Sequence, residues 1–160
     1  MIRILQNTPG TISQEWHEDG DLVDPGPVTV TVTRADGTEL VSGASASGTG
    51  AAARTYNLTQ AHTLLLDVLT VTWVSGTKGT LTSVVEVVGG FLFSISELRA
   101  MLPDTKTAQA ITDDQIKQAR IFAEQALEDE ADVAFVPRYY RETFSGTGVT
   151  TAMLRWPKVT

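Results

Sequence analysis

The chain of 160 residues has no cysteine and only two histidines. Disulfide frameworks and thiolate metal sites are therefore excluded. His17 and His62 lie far apart in sequence, and neither belongs to a metal-ligand spacing such as a histidine pair on one helix face. Basic residues are scarce, with 12 Lys and Arg against 19 Asp and Glu, a formal net charge of −7. The average field of such a chain repels phosphate backbones and argues against nucleic-acid binding outside a local basic patch. Long hydrophobic runs are also missing. Asp67 interrupts the greasiest stretch, Leu64-Leu65-Leu66 and Val68-Leu69, and no window approaches the roughly 20 apolar residues of a membrane helix. Met1-Ile2-Arg3-Ile4-Leu5-Gln6-Asn7 holds too short an apolar run for a signal peptide. The chain reads as soluble and unsecreted. Its 42% hydrophobic and 19% charged residues suit folded material rather than disorder.

Catalytic constellations are missing as well. No serine sits in a Gly-x-Ser-x-Gly elbow. Gly146-Thr147-Gly148 lacks both the third glycine and the strand–helix setting of a nucleotide site, and there is no Walker lysine. The stretch Trp16-His17-Glu18-Asp19-Gly20-Asp21 has carboxylates that suit a hard cation, but not the ligand order of an EF-hand. It reads as a solvated acidic loop. Glu128-Asp129-Glu130 fan around a helix axis and do not converge, so they read as a wet face rather than an acid–base pair. The expectation is a protein that is not an enzyme and has no cofactor and no metal.

What is present changes character at Gly89-Gly90. Before it, Val28, Val30 and Val32 alternate with Thr29, Thr31 and Thr33, the period of a β-strand. Asp36-Gly37 supplies a hairpin turn, and Thr38 to Val41 returns as the partner strand. The small-residue stretch from Ser42 to Ala53 reads as a loop. Strands follow over Arg54 to Leu58, Val68 to Val74 and Thr80 to Val88, with Leu69, Val71 and Trp73 on one face. Six or seven short strands with frequent turns predict an immunoglobulin-like β-sandwich over residues 1–90, with Trp73 and Tyr56 as core aromatics.

After Gly90 the period becomes helical. Ser94 and Glu97 have capping-box spacing, Leu98, Met101 and Leu102 share a face, and Pro103 stops that helix. Thr112 and Gln115 form a second box, with Asp113 and Asp114 at the positive end of the helix dipole. A long helix to about Ala134 then carries an apolar stripe, Ile116, Ala119, Ala123, Ala126 and Leu127, flanked by Phe122. Glu124, Glu128, Asp129 and Glu130 fall on its remaining surface. Pro137 marks a boundary, and Glu142 to Phe144 can pair with Thr150 to Leu154 as a hairpin. Two helices and a hairpin bury little area alone, so this part needs a partner surface. The expected fold is thus α+β, a sandwich over 1–90 followed by a small helical domain over 91–160 that ends in a β-hairpin.

Residues 93–160 carry a resemblance. A short helix ends at Pro103, Ile111-Thr112-Asp113-Asp114-Gln115-Ile116 opens a long alanine-bearing helix, and Phe135-Val136-Pro137-Arg138 follows. Gly146 and Gly148 then make a turn before Leu154-Arg155-Trp156-Pro157. That order resembles the ending of head–tail connector proteins of tailed bacteriophages, also called adaptor or head-completion proteins. Phe135, Pro137, Arg138, Glu142, Gly146 and Leu154 match, while Trp156 stands where the family commonly has a smaller residue. The first 90 residues lie outside the common adaptor core and resemble an added domain. Members often continue further than Thr160, so the resemblance implies a chain that is shortened or partly represented.

The resemblance implies a structural virion protein at the capsid–tail junction, assembled in the host cytoplasm. Its partners would be the portal protein, neighbouring copies in a ring of about twelve, and a stopper or tail-terminator protein. Double-stranded DNA would pass through the lumen without specific binding, and no membrane is involved. In that setting Arg138, Tyr139, Tyr140, Arg141, Arg155 and Trp156, together with Ala119 and Ala123, are the expected intersubunit or partner contacts, an arginine-aromatic composition typical of interfaces. Glu124, Glu128, Asp129 and Glu130 are expected to face the channel, where negative charge keeps DNA sliding. The rival expectation makes the sandwich a carbohydrate- or protein-binding module, for which Trp16, Tyr56 and Trp73 would have to be exposed as a platform.

Overall fold

The computed structural model describes residues 2–48, 52–101 and 111–141. The chain is α+β and divides into two compact units, Met1–Gly89 and Gly90–Thr160.

In the first unit, one sheet has five strands: β1 (Ile2–Leu5), β5 (Val28–Thr33), β6 (Glu39–Ser45), β8 (Asp67–Ser75) and β9 (Gly79–Val88). Their order is β1-β9-β8-β5-β6, with β1 parallel to β9 and the other pairs antiparallel. A second sheet pairs β2 (Gly10–Glu15) with β7 (Ala53–Leu58). Side chains of both sheets enter one core: Ile12 and Leu58 from the pair, and Val30, Val32, Leu69, Val71, Trp73, Val85 and Val87 from the larger sheet. The alternation explains this, because period-two residues all point one way from a pleat. Leu69, Val71 and Trp73 are fully buried, Thr70 and Thr72 between them are exposed and half-buried, and Val74 after them is exposed.

Two turns set the register. At Asp36-Gly37, the Arg34 amide donates to the Thr38 carbonyl at 2.8 Å and Gly37 adopts φ +91°. The Thr38 amide donates to the Asp36 carboxylate at 2.8 Å. The stretch from His17 to Leu22 is not simply a solvated loop. It is a small hairpin of β3 (His17–Glu18) and β4 (Asp21–Leu22) closed by Asp19 and Gly20, both at positive φ. Asp-Gly fits that turn because its backbone twist matches the strands. The acidic side chains remain exposed, as a two-residue strand buries nothing.

The small-residue stretch also differs from expectation. Strand β6 extends through Ser42-Gly43-Ala44-Ser45, and Ser47 bridges Thr55. Polar, small side chains suit an edge strand, which needs backbone partners more than buried area. Arg54 pins the end of this segment. Its side chain is buried and donates to the carbonyls of Gly26 and Gly48 and to the Asp24 carboxylate. Gly48 has φ +105°, and a Cβ there would lie 2.8 Å from the Ala53 carbonyl oxygen, so only glycine fits.

The second unit contains α1 (Ile95–Met101) and α2 (Asp113–Ala131). Ser94 and Glu97 form the expected capping box: the Ser94 amide donates to Glu97 at 2.7 Å and the Glu97 amide to Ser94 Oγ at 3.1 Å. Thr112 and Gln115 do the same at the start of α2. Arg99 links the two helices, donating to the Ile111 carbonyl at 2.9 Å and to Asp113 at 2.5 Å. Helix α2 stops at Ala131, short of Ala134, because Asp132 turns left-handed at φ 52° and donates its amide to the Glu128 carbonyl. No helix among the described residues is long and apolar enough to cross a membrane. The expected hairpin of Glu142 to Phe144 with Thr150 to Leu154 lies outside the described residues.

Candidate functional site

Helix α2 is organised contrary to its hydrophobic pattern. Its buried residues are Ile116, Arg120, Glu124 and Glu128, spaced by four and so on one face. Glu124 is 0% exposed and Glu128 5%. Their carboxylates are taken up by chain segments without regular structure. The Leu92 amide donates to Glu124 at 2.9 Å. The Phe135 and Val136 amides donate to Glu128 at 3.0 and 3.3 Å, and Arg138 pairs with its other oxygen. Arg120 donates to the Phe93 carbonyl at 3.0 Å and lies 3.4 Å above the centre of the Phe91 ring. The charged ridge thus ties residues 91–93 and 135–138 to the helix. Irregular backbone has amides and carbonyls that no ladder satisfies, and long charged side chains reach them.

The channel-facing expectation for Glu124 and Glu128 is therefore corrected: both are consumed inside the unit, and a carboxylate engaged by backbone amides is not a solvated wall. Asp129 and Glu130 are exposed. The apolar stripe is corrected too. Ile116 is buried, but Ala119, Ala126 and Leu127 are exposed, Ala123 is half-buried and Phe122 is 76% exposed. The pattern of Ala119, Phe122, Ala123 and Ala126 is real, yet it forms an outer ridge. Sequence periodicity could not show this, since it identifies an apolar face and not what covers it.

Beyond α2, Arg138 and Tyr139 are half-buried while Tyr140 and Arg141 are exposed, alongside the exposed Phe135. Arg138 is engaged by Glu128, and Tyr140 and Arg141 are the solvent-exposed part of that segment. Arg155 and Trp156 lie outside the described residues. The ridge, with Phe135, Tyr140 and Arg141, is the candidate interaction surface of the second unit.

In the first unit, the residues proposed as an aromatic platform are in the core. Trp73 is 0% and Trp16 3% exposed, and their rings meet edge to face at 6.4 Å and 85°. Tyr56 packs partly buried against the same core. A concavity of about 540 Å³ lies beside Trp16, lined also by Glu15, His17, Glu18, Val23, Lys78 and Leu81. Lys78 donates to Glu18 at 2.6 Å, and His17 stands 3.7 Å from Glu15. The sequence signal for this place was the aromatic-acidic run at Trp16, although its fold into a hairpin wall was not legible. Nearby, the Gly26 amide and then Arg54 hold the Asp24 carboxyl below the usual carboxylate range.

No protein-family model matches the chain, and no curated protein matches it. Among solved structures, the chain is similar to the crystal structure of the ZIG-8–RIG-5 IG1–IG1 heterodimer, with 14% identity and a TM-score of 0.34 over 54% of this chain and 79% of that one. It is similar in the same measure to the ZIG-8 IG1 homodimer, with 14% identity and a TM-score of 0.33 over 54% and 76%. Likeness of this degree establishes neither fold nor function.

Proposed function

We propose that the protein is a head-to-tail adaptor of a tailed bacteriophage, a structural subunit that joins a ring beneath the portal, extends the DNA channel and docks the next connector or tail component. The observation that carries this reading is the outer ridge of α2. Apolar side chains at three- and four-residue spacing stay outside on a helix that turns Arg120, Glu124 and Glu128 inward. Such a face is one half of an interface, since exposed apolar stripes on small units mark association surfaces. A ring needs a heterologous contact, one patch against a different one on the neighbour. The ridge supplies the first patch, and Phe135, Tyr140 and Arg141 have the aromatic-arginine composition suited to the second. The sequence order of two capped helices and Phe135-Val136-Pro137-Arg138 supports the same family resemblance.

The first unit is read as an immunoglobulin-like sandwich added to that adaptor. Its β9-β8-β5-β6 order matches the G-F-C-C′ run of variable-type domains, faced by a smaller sheet. The core Trp16–Trp73 contact stands where no cysteine pair is available. A carbohydrate platform is disfavoured as the unit's task, because both indoles are buried.

The test is co-purification with the portal protein encoded beside this gene, followed by negative-stain imaging. The adaptor reading expects a ring of this chain seated on the portal. A monodisperse monomer that binds neither portal nor tail component would overturn it.

A further inference from the structure

Strand β2 has β7 on one side and, among the described residues, no strand on the other. Two contacts show which of its backbone groups face the open side. Just past the strand, the Trp16 amide donates to the Ala52 carbonyl, in register with the β2–β7 pairing. Residues that bond across an antiparallel ladder alternate with residues that do not. Gly10, Ile12 and Gln14 therefore bond to β7, and Thr11, Ser13 and Glu15 direct their N–H and C=O away from it. The far side of β7 agrees. Thr55, opposite Ser13, bonds in the other direction: the Ser47 amide donates to its carbonyl at 2.8 Å, and its amide donates to the Ser47 carbonyl at 3.0 Å.

This edge lacks the features that keep edge strands from pairing, which are bulges, proline and lysine. The β6 edge of the larger sheet is guarded: its register against β5 shifts twice, and Gly43 sits at φ +57°. Strand β2 keeps unbroken register with β7 along its whole length and holds neither proline nor lysine. Thr11, Ser13 and Glu15 are all exposed. The Glu15 carbonyl accepts from the Gln14 side chain at 3.0 Å, which leaves it a second lone pair.

We propose that β2 pairs with β2 of a second copy, antiparallel about a two-fold axis at Ser13. In that register Ser13 stands opposite Ser13, and Thr11 opposite Glu15. Every outward N–H of one strand then meets an outward C=O of the other. The charges fit a second copy, because each Glu15 faces a threonine and not the other Glu15. A register shifted toward the start of the strand brings in Pro9, which has no N–H to give. One shifted toward its end brings the two Glu15 side chains together. The paired copies share one continuous sheet in the order β7-β2-β2-β7. This contact is isologous, distinct from the head-to-tail contact of a ring, and it does not rest on the adaptor reading. A strand pair is small beside the roughly 1,200–2,000 Å² of a standard interface, so free chains associate weakly.

The experiment follows the full chain by sedimentation equilibrium and nitrogen-15 spectra from about 10 μM to about 1 mM, a range that brackets weak association. The average mass is expected to rise from 17.2 kDa toward twice that value. The amides of Thr11, Ser13 and Glu15 should shift with concentration, while those of Ile12 and Gln14, already bonded to β7, shift less. Ser13→Pro removes an outward donor and no bond to β7, and Ser13→Lys sets two cations opposite each other. Each should weaken association roughly tenfold or more. Phe122→Glu, on the α2 ridge, should leave it unchanged. A chain that stays monomeric throughout the range overturns the proposal, as do concentration-dependent shifts confined to other strands. Association that both Ser13 variants retain overturns it as well, and its loss in Phe122→Glu alone would assign the contact to the ridge instead.

Discussion

Trp16 and Trp73 meet edge to face at 6.4 Å, one from the segment that follows β2 and the other from the middle of β8. That contact joins the chain around the small sheet to the large sheet at the centre of the first unit. Neither ring is available as a surface platform.

Removing the inner partner should be costly. Trp73→Ala leaves a cavity among Val30, Leu69 and Val71 and deprives Ser83 of its donor. The expected loss is about 3–5 kcal/mol, read from the urea midpoint of unfolding. Val74→Ala, at the exposed neighbour, should change stability by about 0.5 kcal/mol or less.

Arg54 offers a sharper test of the polar core. Arg54→Met keeps the apolar stem but leaves the Gly26 and Gly48 carbonyls without their donor. Breaking a buried charged network of this kind costs about 3–5 kcal/mol. Gly48→Ala should destabilise the same corner by more than about 1 kcal/mol, because it forces a Cβ against the Ala53 carbonyl at positive φ. Thermal melts of both variants check the pair.

Three exposed carboxyls titrate low. Asp24 is held down by the Gly26 amide and then Arg54, Asp36 by the Thr38 amide, and Glu97 by the Ser94 amide. In each case the folded pKa lies below the unfolded one. Ionisation therefore favours the folded chain, and the contribution is fully present above the ordinary carboxylate range. It fades as pH falls through the depressed folded values. Carbon-detected NMR titration should find all three below the ordinary carboxylate range, and Asp36→Asn should flatten the acid limb of the stability curve.

The β1–β9 pairing illustrates what the sequence left hidden. Ile2-Arg3-Ile4-Leu5 is too short to announce a strand by alternation, yet it adds to β9 in parallel from Ile2↔Val85 to Leu5↔Val88. Such a partner comes from a distant stretch, which local patterns do not encode. By contrast, β5, the Asp36-Gly37 turn and the two capping boxes were legible, because each is fixed by residues within a few positions. The direction of α2 was not. Half of its apolar residues are alanines, and the backbone of residues 92–93 and 135–136, outside any ladder, attracted the charged ridge instead.

That inversion makes a prediction about Glu124. Glu124→Ala leaves the Leu92 amide without an acceptor and should cost about 1–3 kcal/mol, with faster hydrogen exchange at Leu92. Glu124→Gln retains an oxygen for that amide and should cost less. Asp129→Asn and Glu130→Gln, at exposed positions, should leave stability within about 0.5 kcal/mol. A channel-lining role for Glu124 would require the reverse: no effect on folding and an effect on DNA passage.

The outer ridge separates folding from assembly. Phe122 is 76% exposed, so Phe122→Glu should leave the helical signal and melting of the isolated chain within about 0.5 kcal/mol of the parent. In a ring, the same change places a charge in an apolar contact, where an unpaired buried carboxylate is strongly unfavourable. Phe122→Leu keeps apolar surface and should assemble. The adaptor reading therefore expects folded Phe122→Glu subunits that fail to form rings on the portal, with Phe122→Leu rings intact. If Phe122→Glu assembles as well as the parent, the ridge is not an interface, and the contact between neighbours must be sought elsewhere. If it unfolds, the ridge is part of the unit's own core, and the argument that an open apolar face seeks a neighbour loses its premise.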